Sequence, residues 1–436
     1  MPFRSTRASA ITRSRALFAP VRWLTALWLV LTSIPSPAAN YLTDPPERRV
    51  EQFPTDSGRL ILPLPYNLPG IGNGYFLLGY FSNMFDTTTD ALLVKVVGDA
   101  EGYDAQLDEL PLYRHNLFLN VMEQRIDKAA VNNYQTRGMN TGKYDYNIVE
   151  VNRANESDIG LTLSLYERRI ELNSTRFSSD ISVTALRDPD GNLIKSFSQD
   201  YPLKSASWRH ALKIDLTDDY LDPRRGVRLN LSYQNVPANT VNDPEYYRID
   251  SGISLYTPMH HSDTLVLNYY RSDAHVTSQG NIDPTEIRQE LPFQCSAADS
   301  ACLSAEQALV DSYIAARSYG TATPLGGENR LRAYPRERFN GAHMAFAGAE
   351  YRWNFIQDAK PFNYFIWKDV TTSMQLAFFY EAGTVSELAS DLWKENRRSY
   401  GIGGRLVSAS GSVYRADFAT GDEGNQFTIF FFYPWK

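Results

Sequence analysis

The chain is poor in the residues that metal and redox chemistry use. Its 436 residues include two cysteines and six histidines, and only His260 and His261 adjoin. With Asp263 they form a conceivable cation site, but the short polar stretch "MHHSD" (259–263) reads more simply as a tight turn between strands. Cys295 and Cys302 have no further Cys or His nearby to complete a metal set. In an oxidising compartment they are expected to close a small loop disulfide. No Gly-x-Ser-x-Gly elbow, His-Glu-x-x-His helix or P-loop occurs, so the hydrolase and nucleotidase classes that carry these motifs have no support. "GIGNG" (70–74) lacks the strand–loop–helix context of a nucleotide site and reads as a flexible entry to a strand. Ser207 and His210 are neighbours, as a Ser/His pair on a barrel's outer wall would be. Three positions apart on a strand, however, their side chains face opposite sides. The sequence implies no enzyme and no cofactor.

Long apolar runs are also missing. The most extended is "WLTALWLVLTSI" (23–34), twelve residues, against roughly twenty for a membrane-spanning helix. It follows Arg4, Arg7, Arg13, Arg15 and Arg22 and precedes the small residues Ser36 to Ala39, the layout of a secretory signal peptide over residues 1–39. Without that leader, 38 Lys+Arg stand against 50 Asp+Glu, a balance of −12. No nucleic-acid partner is expected, because affinity for phosphates rests on a basic surface.

What the chain does have is short alternation of polar and apolar residues. From Ser373 to Gly383, Met374, Leu376, Phe378, Tyr380 and Ala382 share one face, and Gln375, Phe379 and Glu381 share the other. From Ala345 to Phe355, Ala347, Ala349, Tyr351, Trp353 and Phe355 oppose Glu350, Arg352 and Asn354. Tyr414, Ala416 and Phe418 oppose Arg415 and Asp417, and the end of the chain places Phe427, Ile429, Phe431, Tyr433 and Trp435 on one face. Such segments suit either a two-sheet sandwich or an outer-membrane barrel with lipid outside and water inside. The barrel is favoured by the 27 Tyr and 22 Phe, often near segment ends, which suit aromatic girdles. It is favoured too by connections that alternate between tight ones, such as "SASGS" (408–412), and a long polar stretch from Ala274 to Pro324. Closure would also remove the exposed edges of so many strands.

The expected architecture is therefore all-β, a transmembrane antiparallel barrel over residues 71–436. Residues 40–70, with "LPLPYNLPG" (62–70), form a short periplasmic lead-in. Strands are predicted at 74–85, 89–100, 112–126, 143–154, 158–172, 176–187, 193–201 and 205–216. Further strands are predicted at 226–235, 245–257, 264–275, 341–355, 372–385, 398–408, 412–420 and 426–435. The total is about sixteen, an even number as bacterial barrels require.

Four stretches then carry a resemblance. "KIDLTDDYLDPRRGVRLNLSYQ" (213–234) looks like an aspartate-rich turn leading into an ascending strand; "GGENRLRAY" (326–334) like a glycine pair with an Arg-Gly-aromatic signature; "FYEAGT" (379–384) like a Phe-x-Asp-x-Gly element; and "RADFATGDEGNQFTIFFFYPW" (415–435) like a closing pair of strands. In this order they resemble the surface-antigen barrels, which include outer-membrane barrel-assembly proteins and two-partner-secretion transporters. The resemblance covers roughly residues 205–436.

It implies that the sixth external loop, carrying Gly326, Gly327, Leu331, Arg332, Ala333 and Tyr334, folds back into the lumen, where its arginine meets acidic residues of the inner wall. A charge entering a confined lumen needs such partners to offset its desolvation. Alternation points Glu381 inward as the natural partner, with Glu350, Arg352, Arg415 and Asp417 extending the network. Two positions depart from the family pattern. Ala333 replaces a glycine, which would resist a positive φ, and Glu381 replaces an aspartate.

The family's polypeptide-transport-associated domains, each about eighty residues, have no room between leader and first strand. The terminal aromatics Phe431, Tyr433 and Trp435 resemble the signal by which the barrel-assembly machinery inserts outer-membrane barrels. The implied function is non-enzymatic translocation or assembly of a secreted polypeptide, membrane protein or lipid. A passive channel for small solutes and a scaffold in an envelope complex are the alternatives.

Overall fold

Strand periodicity sends every second side chain to one face, and in this computed structural model the apolar face is the exposed one. Along Thr372–Ser386, Phe378 and Tyr380 are 46% and 48% exposed, whereas Gln375, Phe379 and Glu381 are buried. Along His343–Ile356, Trp353 and Phe355 are exposed and Glu350, Arg352 and Asn354 are buried. Apolar outside and charged inside is the pattern of a sheet standing in lipid around a polar interior, the reverse of a sandwich. The structure describes residues 36–436 except 69–71, 135, 261, 292–294, 297, 357–361, 365–366, 371, 409–412 and 436. Most of the expected leader therefore lies outside the described residues, as do His261 and part of "GIGNG".

Among the described residues a short helix, α1 (Ser36–Thr43), precedes one antiparallel sheet of eighteen strands. The first half comprises β1 (Gly58–Leu68), β2 (Gly72–Met84), β3 (Thr89–Gly98), β4 (Glu101–Tyr113), β5 (Leu117–Asn133), β6 (Asn147–Leu165), β7 (Ile170–Arg187), β8 (Leu193–Thr217) and β9 (Gly226–Val236). The second comprises β10 (Glu245–Pro258), β11 (Thr264–Ser278), β12 (His343–Ile356), β13 (Phe362–Tyr364), β14 (Trp367–Val370), β15 (Thr372–Ser386), β16 (Arg397–Ser408), β17 (Val413–Gly421) and β18 (Gly424–Phe431). Each strand pairs with the next from β1 to β12, then β12 pairs with β15 and the run continues to β18. With β13 and β14 set aside as a hairpin, sixteen staves remain among the described residues, equal to the number expected only because two unread strands offset two false breaks. Among the described residues no ladder joins β18 to β1. The outer edge of β1 instead meets β14, with Arg59 opposite Lys368 and Leu60 opposite Trp367.

Several boundaries differ from those predicted. Gly58–Leu68, inside the segment read as a lead-in, is a strand. β4 was not anticipated, although Tyr103, Ala105 and Leu107 alternate with Asp104, Gln106 and Asp108. The strand predicted at 158–172 is divided by a turn at Tyr166, Glu167 and Arg168, all with positive φ. No glycine, proline or asparagine marks that turn in the sequence. The predicted breaks between 154 and 158 and between 201 and 205 are absent, since β6 and β8 each run through them. Pro202 lies within the 25-residue β8, opposite Ser182 and next to a register shift, where a missing N–H is tolerated.

The stretch between β11 and β12, the sixth connection at the end bearing the longer loops, is not structureless. It contains α2 (Pro284–Glu290) and the 20-residue α3 (Ser300–Tyr319). Asp299 caps α3 by accepting from the Cys302 amide, and Ile287, Leu291, Leu309 and Val310 form a small core between the two helices. Cys295 and Cys302 are joined in a disulfide. Among the described residues no helix is long and apolar enough to cross a membrane; the crossing is by strands.

Candidate functional site: a charged cluster behind the sixth loop

Four neighbouring strands build the site through their register. Glu350 of β12 stands level with Phe379, Gly401 and Ala419 on β15, β16 and β17. One row away, Glu381 stands level with Gly348, Ser399 and Gly421, and on the other side Arg352 is level with Ala377, Gly403 and Asp417. Each row thus sets one or two large groups among small ones, leaving inner-wall space for side chains from elsewhere. A Cβ at Gly383 would lie 2.8 Å from Leu325 Cδ1 and 3.3 Å from Leu331 Cδ1, so this glycine gives the loop its seat.

Arg332 fills that space. Its side chain is fully buried, with Nε donating to Glu381 Oε1 at 2.8 Å and its backbone N–H donating to Glu381 Oε2 at 2.9 Å. Nη1 donates to Glu350 Oε2 at 3.1 Å and to Asp417 Oδ2 at 3.0 Å. The flat face of the guanidinium lies 3.4 Å from the centre of the Phe379 ring, a cation–π stack that needs little water. Around it, Arg352 Nε donates to Glu350, Arg405 donates to both Glu350 and Asp417, and Arg415 donates to Asp417 and Asn329. Three carboxylates and four guanidiniums therefore share one buried network. Charges so placed persist because each faces opposite charge and directed hydrogen bonds.

The loop backbone is fitted to the same wall. Gly326 and Gly327 take φ values of 110° and 107°, and the left-handed residue near the arginine is Leu331, at 56°. Ala333 is not in that region, so replacing the family's glycine there brings no backbone strain. Its N–H donates to Ser399 Oγ at 3.0 Å. Tyr334 Oη accepts from the Asp422 N–H, and burial pushes its phenol up to about 12. Neighbouring loops clamp the outer end of this segment. Arg338 binds Glu423 and Thr141, and Arg137 binds both oxygens of Glu387, at 2.7 and 2.8 Å.

The chain end is a correction. Phe427 and Ile429 are exposed as alternation requires, but β18 stops at Phe431, and Tyr433 and Trp435 are 6% and 3% exposed, inside rather than facing lipid. Pro434 has no N–H with which to extend the ladder, and Phe432 turns the chain at φ 62°. Tyr433 Oη then reaches Asp222 Oδ1 at 2.6 Å and Gln375 Oε1 at 2.9 Å. Trp435 packs edge-on against Phe346, over Gly348, where a Cβ would come within 2.4 Å of the indole.

The charged residues expected to form the lumen network, Arg332, Glu350, Arg352, Glu381, Arg415 and Asp417, lie in this one cluster. Arg405, Phe379 and Ser399 were missed. Arg405 has the same inward parity as Ser399, Gly401 and Gly403, a signal the sequence carries, whereas stacking by Phe379 depends on register. The other sequence candidates stand apart. Asp263 accepts from Tyr351 Oη and the Asn354 N–H. Ser207 accepts from the lumen-side Gln234, while His210 stacks along Trp208 on the outer side.

Comparison with known proteins gives a match of residues 110–431 to the Omp85 superfamily domain. No curated protein sequence matches the chain. Among solved structures, BamA from Haemophilus ducreyi lacking POTRA domains 1-3 aligns with a TM-score of 0.46 at 13% identity, over 87% of this chain and 69% of that one. CdiB from Escherichia coli aligns with a TM-score of 0.47 at 10% identity, over 86% of this chain and 61% of that one.

Proposed function

Since the chain belongs to the Omp85 superfamily and is a barrel protein of the bacterial outer membrane, we propose that it translocates or assembles a polypeptide or lipid client without a chemical step. One observation carries this reading: Arg332 is held at once by carboxylates from β12, β15 and β17. A loop fastened so firmly inside the wall keeps that side of the lumen filled while a client engages elsewhere, and it ties together the strands that lead to the last one. Outer-membrane lipid surrounds the exposed apolar face, and the chain's own insertion is assigned to the barrel-assembly machinery.

The test is photo-crosslinking in cells from a reactive residue at Leu77 on β2 or Ile429 on β18, both outward-facing. Client transport predicts discrete polypeptide or lipid adducts that fall on Arg332→Ala. Absence of adducts, combined with steady conductance of the purified protein, would replace this reading by the passive channel.

A further inference from the structure

The loop and the chain end fill one side of the interior, but the other side is hollow. A cavity of about 700 Å³ runs along the inner faces of β2 to β11, lined by polar groups such as Asp108, Asn120, Asp158, Thr175 and Lys213. Its floor includes Gln52 and Pro54, which belong to none of the staves. They lie in the segment between α1 and β1, at the end with the short turns, the periplasmic end in outer-membrane barrels.

This segment is fastened across that end by contacts to the turns. Arg48 donates to the carbonyls of Thr217 and Glu167 at 3.2 and 2.9 Å. Arg49 donates to Asp219 Oδ2 at 2.9 Å and to the Asp222 carbonyl at 2.8 Å. Gln52 accepts from the Tyr220 N–H through its side chain and from Arg168 Nε through its carbonyl, both at 2.9 Å. Phe53 stacks on His115 and Phe118, with Arg168 over its ring. Further along, the Asp56 carbonyl accepts from Asn83.

We infer that residues 48–54 are an autoinhibitory strap that closes the hollow side of the lumen toward the periplasm. Its fastenings run chiefly to the turns between β4 and β5, β6 and β7, and β8 and β9, so it can lift without breaking the ladder. Upstream, Tyr41 and Leu42 rest against Val227 and Leu255 on the outer side of β9 and β10. A pull on the N-terminal segment therefore acts directly on the strap. The inference concerns passage through the barrel and does not depend on which client the protein handles.

The experiment places a cysteine at Met122, which lines the cavity, and measures its labelling by a charged maleimide supplied from the periplasmic side, together with single-channel conductance in planar bilayers. In the intact chain, labelling is slow and conductance low. Arg48→Ala/Arg49→Ala/Phe53→Ala raises the labelling rate by about tenfold or more, as expected when a local closed state loses its fastenings, and opens a steady conductance. Arg49→Gln, at a side chain one-third exposed, gives a smaller rise in the same direction and serves if the triple variant fails to fold. Unchanged labelling and conductance in a folded variant would overturn the strap and leave the transport reading, tested by crosslinking, untouched.

Discussion

Arg332 meets three carboxylates at once, and that number governs how substitutions there behave. Arg332→Ala strands Glu381, Glu350 and Asp417 with fewer cations, and breaking a buried network from one side costs about 3–5 kcal/mol. The compact unboiled species on a gel should therefore be lost at lower urea than for the parent. Exchanging the charges of Arg332 and Glu381 is not expected to restore it, because a glutamate at 332 would face Glu350 and Asp417; recovery of the parental urea profile would show that those two do not hold the arginine. Arg332→Lys should fall near the alanine variant, since one ammonium cannot replace a planar fork with two ends engaged and a ring beneath it. At this scale the inward parity of Glu381, Glu350, Arg352, Arg415 and Asp417 was legible from alternation alone. The stack on Phe379 was not, since it arises only when β15 and β16 are in register and Gly401 leaves the ring room.

At the level of elements, the helical pair in the sixth connection and the chain end are separable from the wall. The Cys295–Cys302 link closes a very short loop, worth about 2–3 kcal/mol to the local structure. Cys295→Ser/Cys302→Ser should speed proteolysis within residues 284–319 and leave the gel shift of the whole barrel unchanged; a loss of that shift would mean the helices help hold the wall. Tyr433→Phe leaves Asp222 and Gln375 without their shared donor, at about 1–3 kcal/mol, and should expose the chain end to carboxypeptidase. Helix α3 was passed over as part of a polar connection although its signals are in the sequence: Asp299 is a good cap, Gly320 follows its last residue, and Leu309, Val310, Tyr313 and Arg317 recur at helical spacing. The turn at Tyr166 to Arg168 left no such signal, because none of its residues is a turn former and only the surrounding pairing imposes left-handed backbone.

For the whole molecule, protein extracted from outer membranes should migrate as a compact species that shifts on boiling. Absence of the shift, with the protein in the periplasmic fraction, would contradict the membrane barrel. The barrel was legible because lipid outside and charge inside impose one rule on strand after strand, although the agreement at sixteen comes from two unread strands, β1 and β4, offset by two false breaks within β6 and β8. The meeting of β1 with β14, and the segment lying under the hollow side, follow no repeating pattern and left no such trace. The placement of Tyr433 and Trp435 has a consequence in time. These residues follow the last strand yet pack inward, Trp435 against Phe346 and under the guanidinium of Arg332. Interior packing therefore cannot finish before β18 is in place. The wall can begin to form from its earlier strands, but the lumen reaches its final arrangement only once residues 433–435 have followed β18 inward, which makes its completion a record that the last strand has docked.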